Sequence, residues 1–424
     1  MDFDGRDNVN SVFDKIRGNT ALLRNYGAAL SGAGGRIVIS LFYFIALANA
    51  LPVADFGLFA TASATGIMLS RIVGFGFTSP LYRIATVKPR LIGVYGAGYL
   101  LFAALSVPVF LVAAVAAYHL FFAASLHFQT FLLITVTEAF LWRSLEVIVI
   151  ANNGMNRFGK ASFLVILGSI FRAVAAVAFA LLATKTISEW AIWYGVANFA
   201  ALLAGILFFM PRARFRLAMP VYRRHITDSL SVAVAEVLFY VQSELDKLLV
   251  LALGGAETAG VYAIIMRLVD LTAIPIRTFN MMLVQKLMRS GDLLNSVKRR
   301  IGLETGLFAV STLGIAALAI FLQIFPNALG KNVAAVTGLL FSVLLVPGFR
   351  NLVEYHAELL YARRQTVLRA VNLALLAGCK AMLLSFIFLR NPGSESWLVD
   401  MNWGYGLVWA ASLVLTYSAM RRKH

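Results

Sequence analysis

Long apolar runs separated by short polar segments are the feature that most restricts the fold of this chain. Clear examples are residues 102–118, 191–210 and 370–389. A helix needs about 20 mostly apolar residues to cross the hydrocarbon core of a bilayer. Only 13% of the residues are charged and 60% are hydrophobic, whereas soluble domains carry about a quarter charged residues. The sequence therefore predicts a helical protein that crosses a membrane many times.

The runs predict an all-α membrane protein with about twelve transmembrane helices in two six-helix lobes. The predicted helices cover residues 26–50, 56–79, 93–117, 128–150, 161–183, 190–210, 229–253, 259–282, 303–325, 333–361, 370–389 and 397–420. The tenth contains Pro347-Gly348, so we expect a kink or break there. The predicted domains are an N-terminal tail, a first lobe, a basic linker, a second lobe and a C-terminal tail, at residues 1–25, 26–210, 211–228, 229–420 and 421–424.

The basic residues are distributed very unevenly between the predicted loops. Of 37 Lys and Arg, 25 lie in the two tails and in alternate loops, three lie in the opposite loops, and nine lie within predicted spans. Positively charged loops stay on the cytoplasmic side of a membrane. This distribution predicts that both termini are cytoplasmic, and it explains the net charge of +17 without a nucleic-acid partner.

A short segment occurs twice, at matching positions of the two predicted lobes. GLFA at residues 57–60 follows Asp55, and GVYA at residues 260–263 follows Glu257. The offset of 203 residues is close to half of the chain's 424. Parallel repeats of six helices are typical of transporters whose binding site lies between two lobes.

The same segments resemble one family of membrane transporters. Residues 51–60 (LPVADFGLFA), with Arg71 and Gly76 downstream, are similar to the beginning of helix 2 in polysaccharide-type flippases. Residues 246–251 (DKLLVL) and 259–263 (AGVYA) resemble the turn between their helices 7 and 8. The resemblance is to the Wzx-like branch of the multidrug/oligosaccharidyl-lipid/polysaccharide exporter superfamily, and it extends over the whole chain in number of spans, lobes and length.

This resemblance implies the translocation of an undecaprenyl-pyrophosphate-linked oligosaccharide from the inner to the outer leaflet of the bacterial cytoplasmic (inner) membrane, for surface polysaccharide biosynthesis. It implies the lipid-linked oligosaccharide and membrane lipids as binding partners, with a polysaccharide polymerase and chain-length machinery as further candidates. No residue in the sequence identifies the sugar.

Charged residues within the predicted spans are the candidate functional residues, because a charge inside a membrane is costly. Four predicted pairs share a helix face and can neutralise each other, namely Arg143–Glu146, Glu244–Lys247, Arg267–Asp270 and Arg350–Glu354. Three arginines of the first lobe, Arg36, Arg71 and Arg172, have no acid on their own helix. An arginine fork binds phosphate oxygens bidentately, so we predict these three as substrate-binding residues. The alternative is that they pair with acids or carbonyl groups of neighbouring helices.

The acidic surplus of the second lobe predicts a coupling site for a proton or another cation. The candidates are Glu236, Glu244 and Asp246 on the seventh helix. Glu236 and Glu244 share one face of an ideal helix and can both face inward, whereas Asp246 points toward another helix. Pairing of Glu244 with Lys247 is the structural alternative.

Two other functions stay open, a cation-coupled multidrug exporter of the same superfamily and a membrane polysaccharide polymerase. The predicted outer loops are too short to hold a catalytic segment, and the sequence has no nucleotide-binding motif or nucleophile–base pair. Cys379 is the one cysteine, so no cysteine-based metal site can form. The sequence therefore favours a transporter without cofactor or metal over an enzyme, and the unpaired arginines favour an anionic cargo over cationic drugs.

The predicted topology can be tested with reporter fusions. Fusions at Ala256 and Asn327 should report a periplasmic location and a fusion at Pro220 a cytoplasmic one, because the basic loops determine the orientation. The measurement is the activity of matched alkaline phosphatase and green fluorescent protein fusions. A cytoplasmic signal at Ala256 would contradict the predicted orientation of the second lobe.

Overall fold

The structure of the protein is a computed structural model, which describes residues 38–182, 184–289, 296–363, 365–390 and 396–421. Among these residues, the side chains of 274, 275, 278, 281–289, 366 and 421 are not described. All regular secondary structure in the described ranges is helical.

Residues 38–209 form the helices of the first lobe. They are α1 (Val38–Ala50), α2 (Val53–Ser70), α3 (Thr78–Val87), α4 (Ile92–Phe121), α5 (Phe128–Val136), α6 (Arg143–Gly154), α7 (Phe158–Leu182) and α8 (Ile187–Ala204). A π-helical segment, Thr137–Trp142, joins α5 to α6, and another, Gly205–Phe209, extends α8.

The second lobe begins at Met219, so part of the predicted linker 211–228 is helical. Its helices are α9 (Met219–Arg289), α10 (Val297–Ile324), α11 (Lys331–Val336), α12 (Val346–Ala362), α13 (Thr366–Arg390) and α14 (Trp397–Arg421). Gly255 interrupts α9 with a φ of 80°, and we divide this helix into α9a (219–254) and α9b (256–289). A 3₁₀ segment, Thr337–Val343, connects α11 toward α12.

The described helices provide twelve passes, six in each lobe, which confirms the predicted fold class. Eight helices are long and apolar enough to cross a membrane, or nine if the pair Lys331–Val343 and Val346–Ala362, bent by 68°, counts as one span. The interrupted α9 holds two passes. The short apolar α1 and the continuous run from α5 to α6 supply the others.

The outward surface of the bundle is apolar, as a surface in contact with lipid must be. On α4, for example, Leu100, Leu105 and Val112 are 54%, 56% and 72% exposed. Exposed apolar patches of this kind are unfavourable in water. The outer faces of the helices therefore fit a membrane environment.

The structure differs from the predicted helices at one position and agrees with a predicted kink at another. The prediction of one helix over 56–79 is wrong, because α2 ends at Ser70 and residues 71–77 form turns. Gly74 and Gly76 have φ of 77° and 71° there, which side chains disfavour. A Cβ at Gly76 would lie 2.1 Å from the carbonyl oxygen of Ser229 in α9a. The kink expected at Pro347-Gly348 is present as the 68° bend before α12.

The two repeated segments lie on α2 and α9b, one helix from each lobe, and these helices touch where they cross. A Cβ at Gly57 of α2 would lie 2.3 Å from the amide nitrogen of Gly260 in α9b, and a Cβ at Gly260 would lie 2.0 Å from the carbonyl oxygen of Val53. Gly57 and Gly260 are 203 residues apart, which is the offset of the repeats. The crossing lies at the end of the bundle whose loops carry Lys185 and Lys331, which we name the low-charge end. The opposite end, with the arginine-rich loops, is the basic end.

Two asparagines hold the lobes together beside this crossing. Asn49 Nδ2 donates to the carbonyl oxygen of Leu329 at 2.9 Å, and its Oδ1 accepts from the amide of Asn332 at 3.2 Å. Asn332 Nδ2 donates to the carbonyl oxygens of Ala48 and Leu51 at 2.7 Å and 3.0 Å. The side chains thus satisfy backbone groups of the opposite lobe, and they close the low-charge end.

We predict that a side chain at the helix crossing opens the low-charge end. Gly57→Leu inserts atoms where two backbones touch, and overpacking of this kind costs at least about 1–3 kcal/mol. The measurement is the reaction of a cysteine at Ala60, in a Cys379→Ser background, with a membrane-impermeant maleimide added from the low-charge side. Reactivity should rise with Gly57→Leu and stay unchanged with Gly378→Leu, because a Cβ at Gly378 meets nothing within 4 Å. Equal reactivity in both variants would contradict the closed crossing.

Candidate functional site

A central cavity of about 480 Å³ lies between the two lobes. Its walls come from α1, α2, α7, α8, both parts of α9 and the run from α5 to α6. This volume lies within the range of small-molecule sites, roughly 300–1,000 Å³. The cavity is therefore large enough for a ligand headgroup.

The cavity is closed at the low-charge end and is accessible from the other side. Phe44, Leu47 and Phe56 line it below the helix crossing and are at most 6% exposed. Arg277 and Glu146, which also line it, have side chains 42% and 31% exposed. The structure thus represents a conformation that opens toward the basic end.

Charged side chains dominate the polar part of the wall. Among the described lining residues there are five cationic side chains, Arg71, Arg172, Lys247, Arg267 and Arg277. Four anionic side chains line it as well, Glu138, Glu146, Glu244 and Asp270. Charged side chains in a membrane bundle are expected to face a cavity or a charged partner. Most of these side chains line the cavity and also form an ion pair.

Arg172, a predicted substrate-binding residue, lies in the wall beside two aromatic rings. Its Nε donates to Asn198 Oδ1 at 2.9 Å. The guanidinium lies 3.8 Å from the ring centroid of Trp142 and 5.0 Å from that of Tyr194. Its Nη2 is 3.5 Å from Glu138 Oε2 and makes no hydrogen bond within the described residues. Arg172 is therefore held in place while part of its fork stays unused.

Glu138 is the buried acid opposite Arg172. Its carboxylate is 2% exposed, and its Oε1 accepts hydrogen bonds from Ser63 Oγ at 2.6 Å and from the Tyr194 hydroxyl. Glu138 and Trp142 both belong to the π-helical segment between α5 and α6, and such segments are frequent at functional sites. A Cβ at Gly66 would lie 2.8 Å from Glu138 Cβ, so α2 packs directly on this acid.

Arg71, the second predicted binding residue, belongs to a chain of ion pairs that crosses between the lobes. Arg71 Nη1 lies 3.2 Å from Glu146 Oε2, and Arg143 Nη1 lies 3.0 Å from the same oxygen. Arg143 Nη2 continues to Glu236 Oε2 of the second lobe at 3.0 Å. The Arg71 guanidinium also lies 4.1 Å from the ring centroid of Tyr240. Arg71 therefore pairs with an acid of a neighbouring helix, Glu146, which is the alternative that the sequence left open.

Arg267 lines the cavity although it is not among the residues predicted for the site. Its Nη2 donates to Ser40 Oγ of α1, and none of the carboxylates in the described residues lies within 4 Å of it. The predicted pair with Asp270 does not form, because Asp270 Oδ1 lies 3.0 Å from Arg277 and 3.5 Å from Arg350 instead. The spacing of three residues suggested neutralisation and so concealed Arg267 as a candidate.

The predicted pair Arg350–Glu354 is also absent. Glu354 accepts from Arg277 Nε and Nη2 at 3.1 Å and 3.0 Å. Arg277 lies seven residues after Asp270 and reaches α12 across the helix interface. Helical spacing predicted pairs within one helix. The arginine side chains are long enough to bond acids of other helices instead. The predicted pairs Arg143–Glu146 and Glu244–Lys247 are confirmed.

The three predicted coupling residues lie in three different places. Glu236 pairs with Arg143 between the lobes, and Glu244 lines the central cavity and bonds Lys247. Asp246 is fully buried inside the second lobe and pairs with Lys380, in the direction of another helix as its position predicts. A coupling role for each stays a prediction. Arg36, the third predicted binding residue, lies outside the described residues.

The part of the chain that the structure describes contains no cluster of metal-ligating side chains. No three His, Cys, Asp or Glu side chains in those residues gather around a point where an ion could bind. His356 is fully buried, and its ring nitrogens bond Ser412 at 3.0 Å and Glu304 at 3.3 Å. This histidine serves the packing of α10, α12 and α14.

Comparisons with known proteins identify the fold. No protein-family model and no curated protein matches the sequence. The inward-facing conformation of a multidrug resistance MATE family transporter of the MOP superfamily aligns with a TM-score of 0.65 at 12% identity, over 92% of this chain and 96% of its own. The outward-facing conformation of a multidrug resistance MATE family transporter aligns with a TM-score of 0.59 at 14% identity, over 92% and 96%.

A third solved structure matches equally well over its length. It is a MOP superfamily transporter from Pyrococcus furiosus whose reversed binding-pocket polarity is taken to suggest a different function, and it aligns with a TM-score of 0.63 at 15% identity over 92% and 94%. At these identities the matches show the fold alone. The chain therefore has the two-lobed fold of MOP superfamily transporters.

We predict that Arg172 and Glu138 stabilise the fold as a pair. Arg172→Met should lower the free energy of unfolding by about 3–5 kcal/mol, because it leaves a buried carboxylate without its counter-charge. The double variant Arg172→Met/Glu138→Gln should recover much of this loss. The measurement is unfolding of the purified protein in detergent, with Arg83→Met as control, since the Arg83 side chain is 66% exposed. A double variant whose loss equals the sum of both single losses would contradict the pairing.

Proposed function

We propose that this protein translocates an undecaprenyl-pyrophosphate-linked oligosaccharide across the bacterial cytoplasmic membrane, with the anionic headgroup bound in the central cavity. In this proposal both termini are cytoplasmic, and the protein is a Wzx-like flippase, the family that its sequence resembles. The structural support for the proposal is the charge and accessibility of the cavity wall.

Arg267 is the observation that carries the proposal. Its described partner is the hydroxyl of Ser40, a neutral group, so a phosphate can bind this guanidinium without separating an ion pair. An arginine fork binds phosphate bidentately and stays charged in an apolar setting. An anion in the cavity would therefore gain a partner at Arg267 and lose none.

Arg172 and Arg71 extend this anion site along the wall. Arg172 retains an unused Nη2, and its ring contacts fix the orientation of the guanidinium. The Nε of Arg71 likewise has no hydrogen-bond partner within the described residues. Because both arginines also contact acids, a pyrophosphate would compete with Glu138 and Glu146, which makes binding reversible. Reversible binding is what a transporter needs in order to release its cargo.

The open basic end and the apolar outer surface suit a cargo with two chemically different parts. The sugars and the pyrophosphate can enter from the basic end, where Arg277 is exposed. The polyprenyl chain can stay in the bilayer, since the outer faces of the helices are apolar. With 480 Å³ available, the cavity holds the part of the headgroup next to the lipid.

A cation-coupled multidrug exporter is the second candidate. The acids Glu138 and Asp270 and the rings of Tyr43 and Trp142 line the cavity and could contact an aromatic cation. Two of the structural matches are multidrug resistance transporters. However, Glu138 and Asp270 are each within 4 Å of an arginine in the described structure, and the cationic side chains in the wall outnumber the anionic ones. The charge balance thus favours an anionic cargo.

The test measures flipping of two probes by the purified protein in proteoliposomes. The probes are a fluorescent polyprenyl-pyrophosphate disaccharide and the cationic dye ethidium. Arg267→Gln should slow lipid flipping about tenfold to a hundredfold, because a lost charged hydrogen bond costs about 1.5–3 kcal/mol. Arg267→Lys should restore part of the rate, since the charge remains and the fork is lost.

Arg36→Ala and Arg71→Ala should also impair lipid flipping, as the sequence predicts. Arg83→Gln, which changes an exposed arginine of the basic end, serves as the matched control and should retain the wild-type rate. Transport of ethidium with no flipping of the lipid probe would favour the drug exporter. Full lipid flipping by Arg267→Gln would overturn the assignment of the anion site.

A further inference from the structure

A second polar site is buried within the second lobe, apart from the central cavity. Asp246 Oδ1 lies 3.2 Å from Lys380 Nζ, and the two side chains are 0% and 4% exposed. Breaking such a buried pair is strongly destabilising, and replacing it with apolar residues is often harmless. A buried pair within the membrane is therefore a functional hypothesis by default.

The carboxylate of Asp246 accepts hydrogen bonds from three side chains of the described residues. Its Oδ2 accepts hydrogen bonds from the hydroxyls of Tyr262 and of Tyr405, the latter at 3.1 Å. Its Oδ1 faces the ammonium of Lys380. A metal cation would need several oxygen ligands here, and it would have to displace an ammonium that the chain itself supplies.

Both acidic and basic side chains surround Lys380. The helix α13 packs against α9, α12 and α14. The titratable and charged groups around the pair are Asp246, Glu244, Lys247 and Tyr262 of α9, Arg350 and Glu354 of α12, and Tyr405 of α14. Among the cations, lysine exchanges its proton when buried, whereas arginine keeps its charge in proteins.

A small cavity lies beside Lys380, and Ser243 in its wall is bonded to Glu244, a residue of the central cavity. The small cavity has a volume of about 20 Å³, and Lys380, Arg350, Gln242 and Ser243 are among its lining residues. A space of this size with polar walls can hold one water molecule. Ser243 Oγ donates to Glu244 Oε1 at 3.3 Å, and Glu244 lines the central cavity.

The same site contacts the helix that closes the low-charge end. Tyr262, which donates to Asp246, follows Gly260 by two residues on α9b. Gly260 is the residue at which α9b touches α2. A change of charge at the buried pair therefore acts on α9b next to the helix crossing.

We propose that the Asp246–Lys380 pair is a proton-coupling site, in which Lys380 exchanges a proton with the central cavity and its charge controls closure of the low-charge end. On release, an Nζ–H bond of Lys380 breaks, the proton passes over one water and Ser243, and an O–H bond forms on Glu244, which then yields the proton to cavity water. Asp246 stays an anion held by the two tyrosines. The inference rests on the proposed function in one respect: proton exchange at this pair would give the proposed transport a direction.

The test needs no cargo, so its result is independent of the proposed function. Spin labels are attached to cysteines at Leu182 and Asn327, one on each lobe at the low-charge end, in a Cys379→Ser background. The distance distribution of the protein in nanodiscs is measured from about pH 5 to about pH 10, the range in which buried and free lysines titrate. The distribution should shift with pH and should be the same in sodium and potassium chloride.

Lys380→Arg should abolish the pH-dependent shift, because it keeps the positive charge and cannot release the proton. Asp246→Asn/Lys380→Met, which removes both charges together, should abolish it as well and covers the case that the arginine disturbs the packing. Lys160→Arg, at an exposed lysine, should leave the shift unchanged. A full pH response in both pair variants would overturn the inference, as would a wild-type protein that responds to sodium and not to pH.

Discussion

The need to partner every charge inside an apolar bundle governs this structure. Arg143 shows it most clearly, because a guanidinium only 3% exposed contacts Glu146 of its own helix and Glu236 of the other lobe. Arg172 and Glu138, and Asp246 and Lys380, follow the same principle. The cost of an unpaired charge in hydrocarbon is high, so the pairs determine which helices lie together. Arg267, which has a hydroxyl for a partner in the described residues, is the exception that points to a ligand.

Close backbone contacts provide the second constraint, and they separate the two ends of the molecule. At the low-charge end, Gly57 and Gly260 bring two backbones together and Asn49 and Asn332 bind backbone groups of the opposite lobe. At the other end, exposed charges such as Arg277 border the cavity. Hydrogen bonds and glycine contacts of this kind can form and break without unfolding either lobe, because each lobe also has a buried cluster of its own, around Leu145 and Leu164 in the first and around Leu352 and Leu359 in the second. A conformation that opens the opposite end is compatible with the same helices.

The sequence predicted the lobes, the spans and the repeat well, since apolar length and basic loops are local properties that a single chain displays. Of the residues predicted for the binding and coupling sites, Arg71, Arg172 and Glu244 line the cavity, and their roles stay predictions. The sequence could not predict contacts between helices. Arg267 was assigned to Asp270 by spacing, whereas the distances assign Asp270 to Arg277 and Arg350. The partner of Asp246 lies 134 residues away on α13, and no helical periodicity contains that information. The turn at 71–77 was missed although Gly74 and Gly76 indicate it.

The proposed function requires that an anionic lipid headgroup binds in the cavity between the lobes. The most direct measurement is photo-crosslinking with a polyprenyl pyrophosphate that carries a photoreactive group beside the phosphates, followed by mass spectrometry of the labelled peptides. We expect labelling of the cavity-lining parts of α2, α7 and α9b, and both unlabelled polyprenyl pyrophosphate and Arg267→Gln should reduce it. Labelling confined to the lipid-facing surface, such as α4, and unaffected by either change would contradict it.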